Sequence, residues 1–476
     1  MSPDRKILFV ALFVLLLGGA VLGVGHPLLA AWYHSDDFTL LALGKFAPTP
    51  FHALVENQFP GAYYFRPAGL AFWWLSQRVP GADAGLHYLL SLLLHGGNAL
   101  LIAAVARSAG GRAVPAAALA LLFALHPVAI GTSAWLSSRF DLLATGAVLL
   151  ALLFALRGRG TLAVAAAITA MLAKESAAPV YLALAAHAVL AAPAGSRWRA
   201  LLLWALPLSG YVAWRISIIG LGAGSGNPLD GLHWLWASGP TYLGGLYPLQ
   251  IGGSWHLLAA LPLLLLLAGN RRRALTPVLL LLLAALGGTL AIQTLGASVL
   301  PPAAPTATQT NLAIINSRFW YLPLALVACL LGSLAPPAGR AARRVLAACA
   351  LVLAVVWGNA SHTLAEAWRQ HYPARQQQAM SQLITQLRAT APASGPCVLH
   401  LPQAERAIPQ LHGYTDTAVK AMLPSGDPLE RCALFGTITP YVHILRAGHA
   451  MPPGVPPPRQ APTVTRGFTL HYLRTP

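Results

Sequence analysis

The sequence predicts an α-helical polytopic membrane protein with a small α/β domain at its C-terminal end. Three observations lead there. Hydrophobic residues make up 56% of the 476 positions against 9% charged, with a mean hydropathy of +0.61, a balance that satisfies the backbone only as many lipid-buried helices. Apolar runs recur along the chain to about residue 360, and after that the pattern turns to a polar helix and short alternating runs. The net charge of +18 is spread in small Arg and Lys clusters between the apolar runs. Such a distribution marks topology and offers no basic face to nucleic acid. The four cysteines form no CxxC spacing, Cys329 and Cys349 sit in apolar runs as packing residues, and Cys397 and Cys432 lie in the tail, where a disulfide is open to them if the tail is extracytoplasmic.

The first run, Ile7 to Ala30, follows Asp4-Arg5-Lys6 and is too long for an ordinary signal peptide, so a retained span with a cytoplasmic N-terminus is expected. Residues 31–85 form an outer loop on the membrane surface, with a helix-like piece at 50–58 and the interfacial aromatics Phe72-Trp73-Trp74. Further spans are expected at 86–106, 113–130, 138–156, 161–173, 176–193, 200–219, 252–268, 274–295, 319–336 and 345–360, about eleven in all. Parity then puts Arg107 and Arg112, Arg157 and Arg159, Arg197 and Arg199, Arg271 to Arg273, and Arg340, Arg343 and Arg344 on the side of Arg5 and Lys6, as the positive-inside rule requires. The other side holds the 31–85 loop, the Gly-rich loop 220–250, the loop 296–317 that begins around Pro301-Pro302, and the tail. The domain reading is therefore a transmembrane module over 1–360 and a small extracytoplasmic α/β domain over 361–476. In the latter a surface helix is expected at 363–387 and strands at Cys397–Leu401, 436–445 and 467–473, with a Pro-rich connection at 452–458.

Acidic residues near the outer face of the membrane part are few: Asp36, Asp37, Glu56, Asp83, Asp141, Glu175 and Asp230. A reaction that needs a carboxylate base there has little choice. Asp36 and Asp37 stand side by side at a span end. Adjacent carboxylates repel, so a proton, a cation or a metal belongs near them, unless one simply caps a helix starting at Phe38. The outer cations are Lys45, Arg66, Arg78, Arg139, Lys174, Arg215 and Arg318. Singly, those at span ends read as headgroup anchors; together they offer the positive charge that a leaving phosphate needs. Arg66 lies in Tyr63-Tyr64-Phe65-Arg66-Pro67, between aromatic anchors and a helix-starting proline.

Five stretches in order carry a resemblance: His34-Ser35-Asp36-Asp37-Phe38; Phe65-Arg66-Pro67; His126-Pro127-Val128 running to Ser138-Arg139-Phe140-Asp141-Leu142-Leu143; Leu172-Ala173-Lys174-Glu175-Ser176; and Asn316-Ser317-Arg318-Phe319-Trp320-Tyr321-Leu322-Pro323. Over residues 1–360 the chain resembles the GT-C superfamily of membrane glycosyltransferases, and within it the protein O-mannosyltransferase branch and the transmembrane tetratricopeptide mannosyltransferases with their bacterial relatives. The tail is outside the resemblance, and the helical repeats of those relatives are absent from the sequence.

The resemblance implies a GT-C-like fold and a transferase that passes a sugar from a polyprenyl-phosphate carrier to an acceptor hydroxyl of a protein, lipid or glycan, with inversion, at the periplasmic face of a bacterial inner membrane. It implies Asp36 as general base, with Asp37 orienting an acceptor, Arg66 or a metal. Arg66, Arg139, Lys174 and Arg318 would bind the donor phosphate, and Tyr321 supports them. No cofactor is required, although a divalent metal on Asp36 and Asp37 stays open.

His126 is balanced between a satisfied polar cap and a functional residue. Glu175 reads first as the ion-pair partner of Lys174, and Asp141 as a tether for Arg139. His95 and His187 lie mid-span and are expected to bond to neighbouring helices. Trp234 and Trp236 fit either sugar stacking or interface anchoring. The alternative class is a transporter or flippase of lipid-linked sugars, in which the same charges would mark a path; against it, the charges gather on one side and no inverted halves are visible.

Overall fold

The computed structural model describes residues 3–57, 64–79, 81–220, 228–245, 277–297, 314–334, 339–395, 397–401, 408, 411, 414–436, 442–446, 448–449, 451, 463–464 and 468–472. The expected span 252–268, Arg271 to Arg273, Pro301-Pro302, Tyr63 and the Pro-rich 452–458 lie outside the described residues.

The helices in chain order are α1 (Pro3–Gly25), α2 (Asp36–Phe46), α3 (Pro67–Arg78), α4 (Ala84–Ser108), α5 (Ala113–Leu125), α6 (Pro127–Ala134), α7 (Arg139–Leu156), α8 (Gly160–Ala173), α9 (Ala178–Ala191), α10 (Arg197–Ile219), α11 (Pro228–Gly244), α12 (Pro277–Ala297), α13 (Arg318–Ser333), α14 (Arg340–His371), α15 (Arg375–Thr390) and α16 (Thr415–Met422). The strands are β1 (Cys397–Leu401), β2 (Cys432–Gly436), β3 (Val442–Arg446), β4 (Thr463–Val464) and β5 (Phe468–Tyr472).

Among the described residues five helices are long and apolar enough to cross a membrane: Ile7–Ala30, Ala84–Ser108, Leu136–Leu156, Ala194–Ile219 and Arg340–His371. At 1.5 Å per residue a run of 24 residues reaches about 36 Å, more than the ~30 Å hydrocarbon core. The bent pair α5 and α6 makes a sixth, and Gly160–Ala173, Glu175–Ala191, Pro277–Gln293 and Arg318–Ser333 are shorter apolar helices. Every expected span within the described residues thus meets an apolar helix, and the chain is a multi-pass helical membrane protein. The loop expected at 220–250 differs, because Pro228 opens a helix there and Trp234 is buried while Trp236 is 84% exposed.

By contact the chain forms two compact units, one made of Met1–Leu28, Leu89–Trp214 and Ala223–Trp368, the other of Leu29–Tyr88, Arg215–Gly222 and Arg369–Pro476. Position 360 lies inside α14, and the 31–85 loop belongs to the same unit as the tail.

In the first unit α7 packs on α8, α12 on α9 and α11, and α13 on α5, α6 and α7. The bend between α5 and α6 is 49°. Its cause is local: Pro127 pushes His126 into extended backbone (φ −75°, ψ 133°) and cannot donate to the preceding turn. The carbonyls freed at the bend find partners within the unit, since Ser361 Oγ donates to Leu125 O at 2.7 Å and His95 Nε2 lies 3.1 Å from Ala124 O.

In the second unit Trp32 N–H donates to Tyr372 O at 2.5 Å and Ala374 N–H to Ala30 O at 2.9 Å, joining the start of the loop to the start of the tail. The single helix expected at 363–387 is broken at 372–374, where Pro373 stops α14 and α15 begins. β1 and β2 pair in parallel with Cys397 opposite Cys432, and these two form a disulfide. β3, β5 and β4 form an antiparallel sheet in that spatial order. The run expected as one strand at 436–445 falls across two, β2 ending at Gly436 and β3 starting at Val442.

Candidate functional site

In the second unit the acidic pair opens α2, and its two members differ. Asp36 is exposed and Asp37 fully buried. Asp37 Oδ2 accepts the backbone N–H of His34 at 3.0 Å, reaching back over the helix start as a cap does. The helix begins at Asp36, two residues before the expected Phe38, and its N-cap Ser35 makes no side-chain cap. Ser35 has φ 53° and ψ −119°, the one positive φ outside glycine among the described residues. Strain of this kind persists where its surroundings hold it. Here the holding elements are Trp32, Tyr33 and Phe38, in edge contacts at 5.3 and 5.9 Å, and the ring of His34 against Tyr372 at 4.5 Å. Burial lowers the His34 pKa to about 4, so the imidazole beside the acids is neutral at pH 7. Burial, and then the Asp37 charge, raise the Tyr372 phenol to about 12.

Asp36 Oδ1 accepts a hydrogen bond from Tyr414 Oη at 2.8 Å. The far end of α2 is held as well: Lys45 Nζ donates to Lys420 O at 2.7 Å and pairs with Glu430 at 2.9 Å. Arg78 donates to Gly44 O and Ala47 O, and Trp74 Nε1 to Ala47 O, so α3 takes up the orphan carbonyls of α2. The approach is close enough that a Cβ on Gly44 would stand 2.8 Å from Trp73 O. Arg66 is half-buried before Pro67, with its guanidinium over the Tyr64 ring at 4.2 Å.

Residues 414–446 contain a cluster that the sequence reading did not single out. Asp416 and Lys420, one helical turn apart on α16, are both fully buried. Asp416 accepts from Lys420 Nζ at 2.8 and 3.0 Å, from Leu434 N–H at 3.1 Å and from Ile444 N–H at 2.9 Å. Burial alone would raise its pKa, but the Lys420 ammonium and His443 outweigh that and lower it to about 2. One carboxylate therefore ties α16 to both sheets. The i,i+4 spacing of Asp416 and Lys420 in a charge-poor segment was the available signal.

In the first unit the expected cations gather at helix starts. Arg139 opens α7, Arg318 opens α13, and Lys174 precedes the turn Glu175–Ala177 that leads into α9. Cations oppose the helix dipole at such ends, so their presence there concentrates positive potential that suits an anion. Lys174 Nζ finds Asp141 at 2.6 Å, with both side chains buried. Lys174 also stands 5.8 Å from the centre of the Phe319 ring, and Arg318 lies 4.9 Å from the same ring and 4.4 Å from Trp135. Arg139 is fully buried and donates from Nε to Ser91 Oγ at 3.0 Å. Lys174 and Arg318 thus both lie against Phe319, Asp141 pairs with Lys174, and Glu175, next to Lys174 in the chain, is half-buried.

Two expected supporting residues have structural employment. Tyr321 is buried between helices, its hydroxyl 3.0 Å from His95 Nδ1 and receiving Asn98 Nδ2 at 3.1 Å. Because His95 Nε2 meets a carbonyl and must carry the proton, Nδ1 accepts, and the Tyr321 hydroxyl donates to it. His126 Nδ1 accepts from Val128 N–H at 3.2 Å and Nε2 faces Leu243 O at 3.1 Å, with the ring edge-on to Trp357 at 4.4 Å. That is the cap reading of His126. Trp234 packs against Tyr242 and Phe319. Among the described residues no three His, Cys, Asp or Glu side chains are grouped to hold a metal ion.

No protein-family model and no curated protein sequence matches the chain. Two solved structures are similar to it along their whole length. ArnT from Cupriavidus metallidurans bound to undecaprenyl phosphate shares 15% identity over 99% of this chain and 98% of that one, with a TM-score of 0.44. ArnT from the same organism in the apo state shares 12% over 98% of each chain, with a TM-score of 0.46. Likeness of this degree assigns no residue a role, and the functional reading rests on the side chains themselves.

Proposed function

We propose that the chain is a membrane glycosyltransferase of GT-C type that moves a hexosyl or pentosyl group from a polyprenyl-phosphate donor to a hydroxyl of a glycan, lipid or protein. The observation that carries the reading is the division of labour between adjacent acids: Asp37 is buried in backbone capping, while Asp36 is exposed at the helix start and free of that duty. A carboxylate so placed can take a proton. In the proposed reaction Asp36 removes the acceptor hydroxyl proton as the acceptor oxygen bonds to the sugar C1. The bond from C1 to the phosphate oxygen breaks, with inversion, and the polyprenyl phosphate leaves with the electron pair.

Charge on that leaving phosphate calls for fixed cations, and Arg139, Lys174 and Arg318 are proposed to supply them, with Arg66 as a further contact. The aromatic rings beside Arg318 and Lys174 keep their charges out of bulk water, which strengthens such contacts. The active face is proposed to be periplasmic, in a bacterial inner membrane with the N-terminus cytoplasmic. The Arg clusters favour this orientation by the positive-inside rule, and the Cys397–Cys432 disulfide favours an oxidising compartment for the tail. The resemblance of the motif set to protein O-mannosyltransferases makes mannose the first sugar to test.

The test uses purified protein in liposomes with labelled polyprenyl-phosphate mannose and a panel of serine peptides, alkyl glycosides and lipid acceptors. The reading expects labelled product together with free polyprenyl phosphate. Intact donor moved between leaflets with no product would replace it by the transporter reading.

A further inference from the structure

We propose that Tyr414, supplied by the tail 378 residues beyond Asp36, is the positioning residue for the Asp36 carboxylate. The inference rests on Asp36 being the base. A carboxylate at the first residue of a helix is fixed by the backbone only as far as Cβ. Its two torsions are otherwise set by what the oxygens meet, and an exposed group meets mostly water. The Tyr414 hydroxyl has one proton and donates it to Oδ1 across an O···O distance of 2.8 Å, a charge-assisted hydrogen bond that orients the plane of the carboxylate. Oδ1 is thereby occupied by a donor, and Oδ2 is the oxygen left to receive the acceptor's proton.

Tyr414 is itself held in place. Its N–H donates to Leu411 O at 2.8 Å, its carbonyl receives Ala418 N–H at 2.8 Å, and the Thr417 hydroxyl donates to the same carbonyl at 3.1 Å. The helix it introduces is tied into both sheets by Asp416. The same two helices are tied at their other ends, where Lys45 of α2 reaches Lys420 O on α16 at 2.7 Å. Since the N-terminal ends meet through Asp36 and Tyr414 and the C-terminal ends through Lys45 and Lys420, α2 and α16 run side by side in the same direction. The tail therefore sets where α2 lies and also where its first carboxylate points. Small errors in placing a base are costly in rate, which gives the contact a kinetic consequence out of proportion to its stabilising worth.

The experiment compares the full-length chain with Tyr414→Phe, Asp36→Asn and the double variant, with polyprenyl-phosphate mannose as donor and the acceptor of the panel that gives the highest wild-type rate. Tyr414→Phe is expected to lower kcat on the order of 10-fold while leaving the donor KM, the melting temperature and the hydrogen exchange of residues 38–46 unchanged. In the Asp36→Asn background the Phe change is expected to have no further effect, because the carboxylate it positions is gone. A wild-type kcat for Tyr414→Phe, a loss shared by KM and melting temperature, or an effect that multiplies with that of Asp36→Asn overturns the inference. Asp36→Asn measured alone separates the two levels: if it transfers sugar normally, the base assignment fails and the inference falls with it; if it is inactive while Tyr414→Phe is normal, only the inference falls.

Discussion

Replacing Asp416 by Asn should unlatch the tail, and the size of the effect follows from its partners. Both Asp416 and Lys420 are 0% exposed. Asn keeps one acceptor oxygen for Leu434 or Ile444 N–H but strands the Lys420 ammonium in the interior. Stranding one member of a buried pair costs about 3–5 kcal/mol, and Lys420 retains the carbonyl of Ile444 at 2.5 Å, which places the expected loss near the low end, ~3 kcal/mol. Lys420→Met should cost a similar amount by leaving the carboxylate short of its main counter-charge. The combination of Asp416→Asn with Lys420→Met strands no charge, so the double variant should recover at least ~2 kcal/mol relative to the sum of the singles. The assay is hydrogen exchange at the Leu434 and Ile444 amides of the full-length protein in detergent, supported by denaturant unfolding. Single-variant losses that add to within about 0.5 kcal/mol would refute the latch.

Acid should loosen the same unit. Asp416 has a folded pKa of about 2 against an ordinary 3.8, so the unfolded chain binds its proton first, and the stability it contributes is present above about pH 4 and lost as pH falls toward 2. His34 acts in the same direction over a higher range: held near 4 in the fold against 6.5, it stays neutral while the unfolded chain protonates, so stability falls as pH drops from about 6.5 to 4. Unfolding curves between pH 7 and 3 check both, and a flat or rising profile would contradict them. Gly44→Ala should cost about 1–3 kcal/mol, because its Cβ would stand 2.8 Å from Trp73 O and force α2 away from α3. Its melting temperature and transfer rate should fall together, and unchanged values would remove the close packing of α2 from the account.

The membrane part was legible because its signals are additive. A run such as Ile7 to Ala30 has one reading whatever surrounds it, whereas the 49° bend at His126-Pro127 falls inside the single span expected at 113–130. The helix that Pro228 opens lies in a Gly-rich stretch whose composition points to a loop, and the pattern that makes it a helix depends on Trp234 being buried and Trp236 exposed. In the candidate site, the cations Arg139, Lys174 and Arg318 were visible as departures from apolar runs, whereas the pairing of Lys174 with Asp141 joins residues 33 apart and is a product of packing. The resemblance names Asp36 ahead of Asp37, but spacing alone leaves the two equivalent, because their burial differs through which side chain folds back on the His34 amide. Tyr414 carried no signal at all. Its meaning depends on a contact across 378 residues, and no local spacing encodes that.

The central claim is that Asp36 accepts the acceptor's proton during sugar transfer. Single-turnover release of polyprenyl phosphate from labelled polyprenyl-phosphate mannose, in the presence of acceptor, compares wild type with Asp36→Asn most directly. The account predicts that the variant binds donor with unchanged affinity and releases polyprenyl phosphate at least 100-fold more slowly, about the contribution of a positioned general base. Release by Asp36→Asn at the wild-type rate would contradict it.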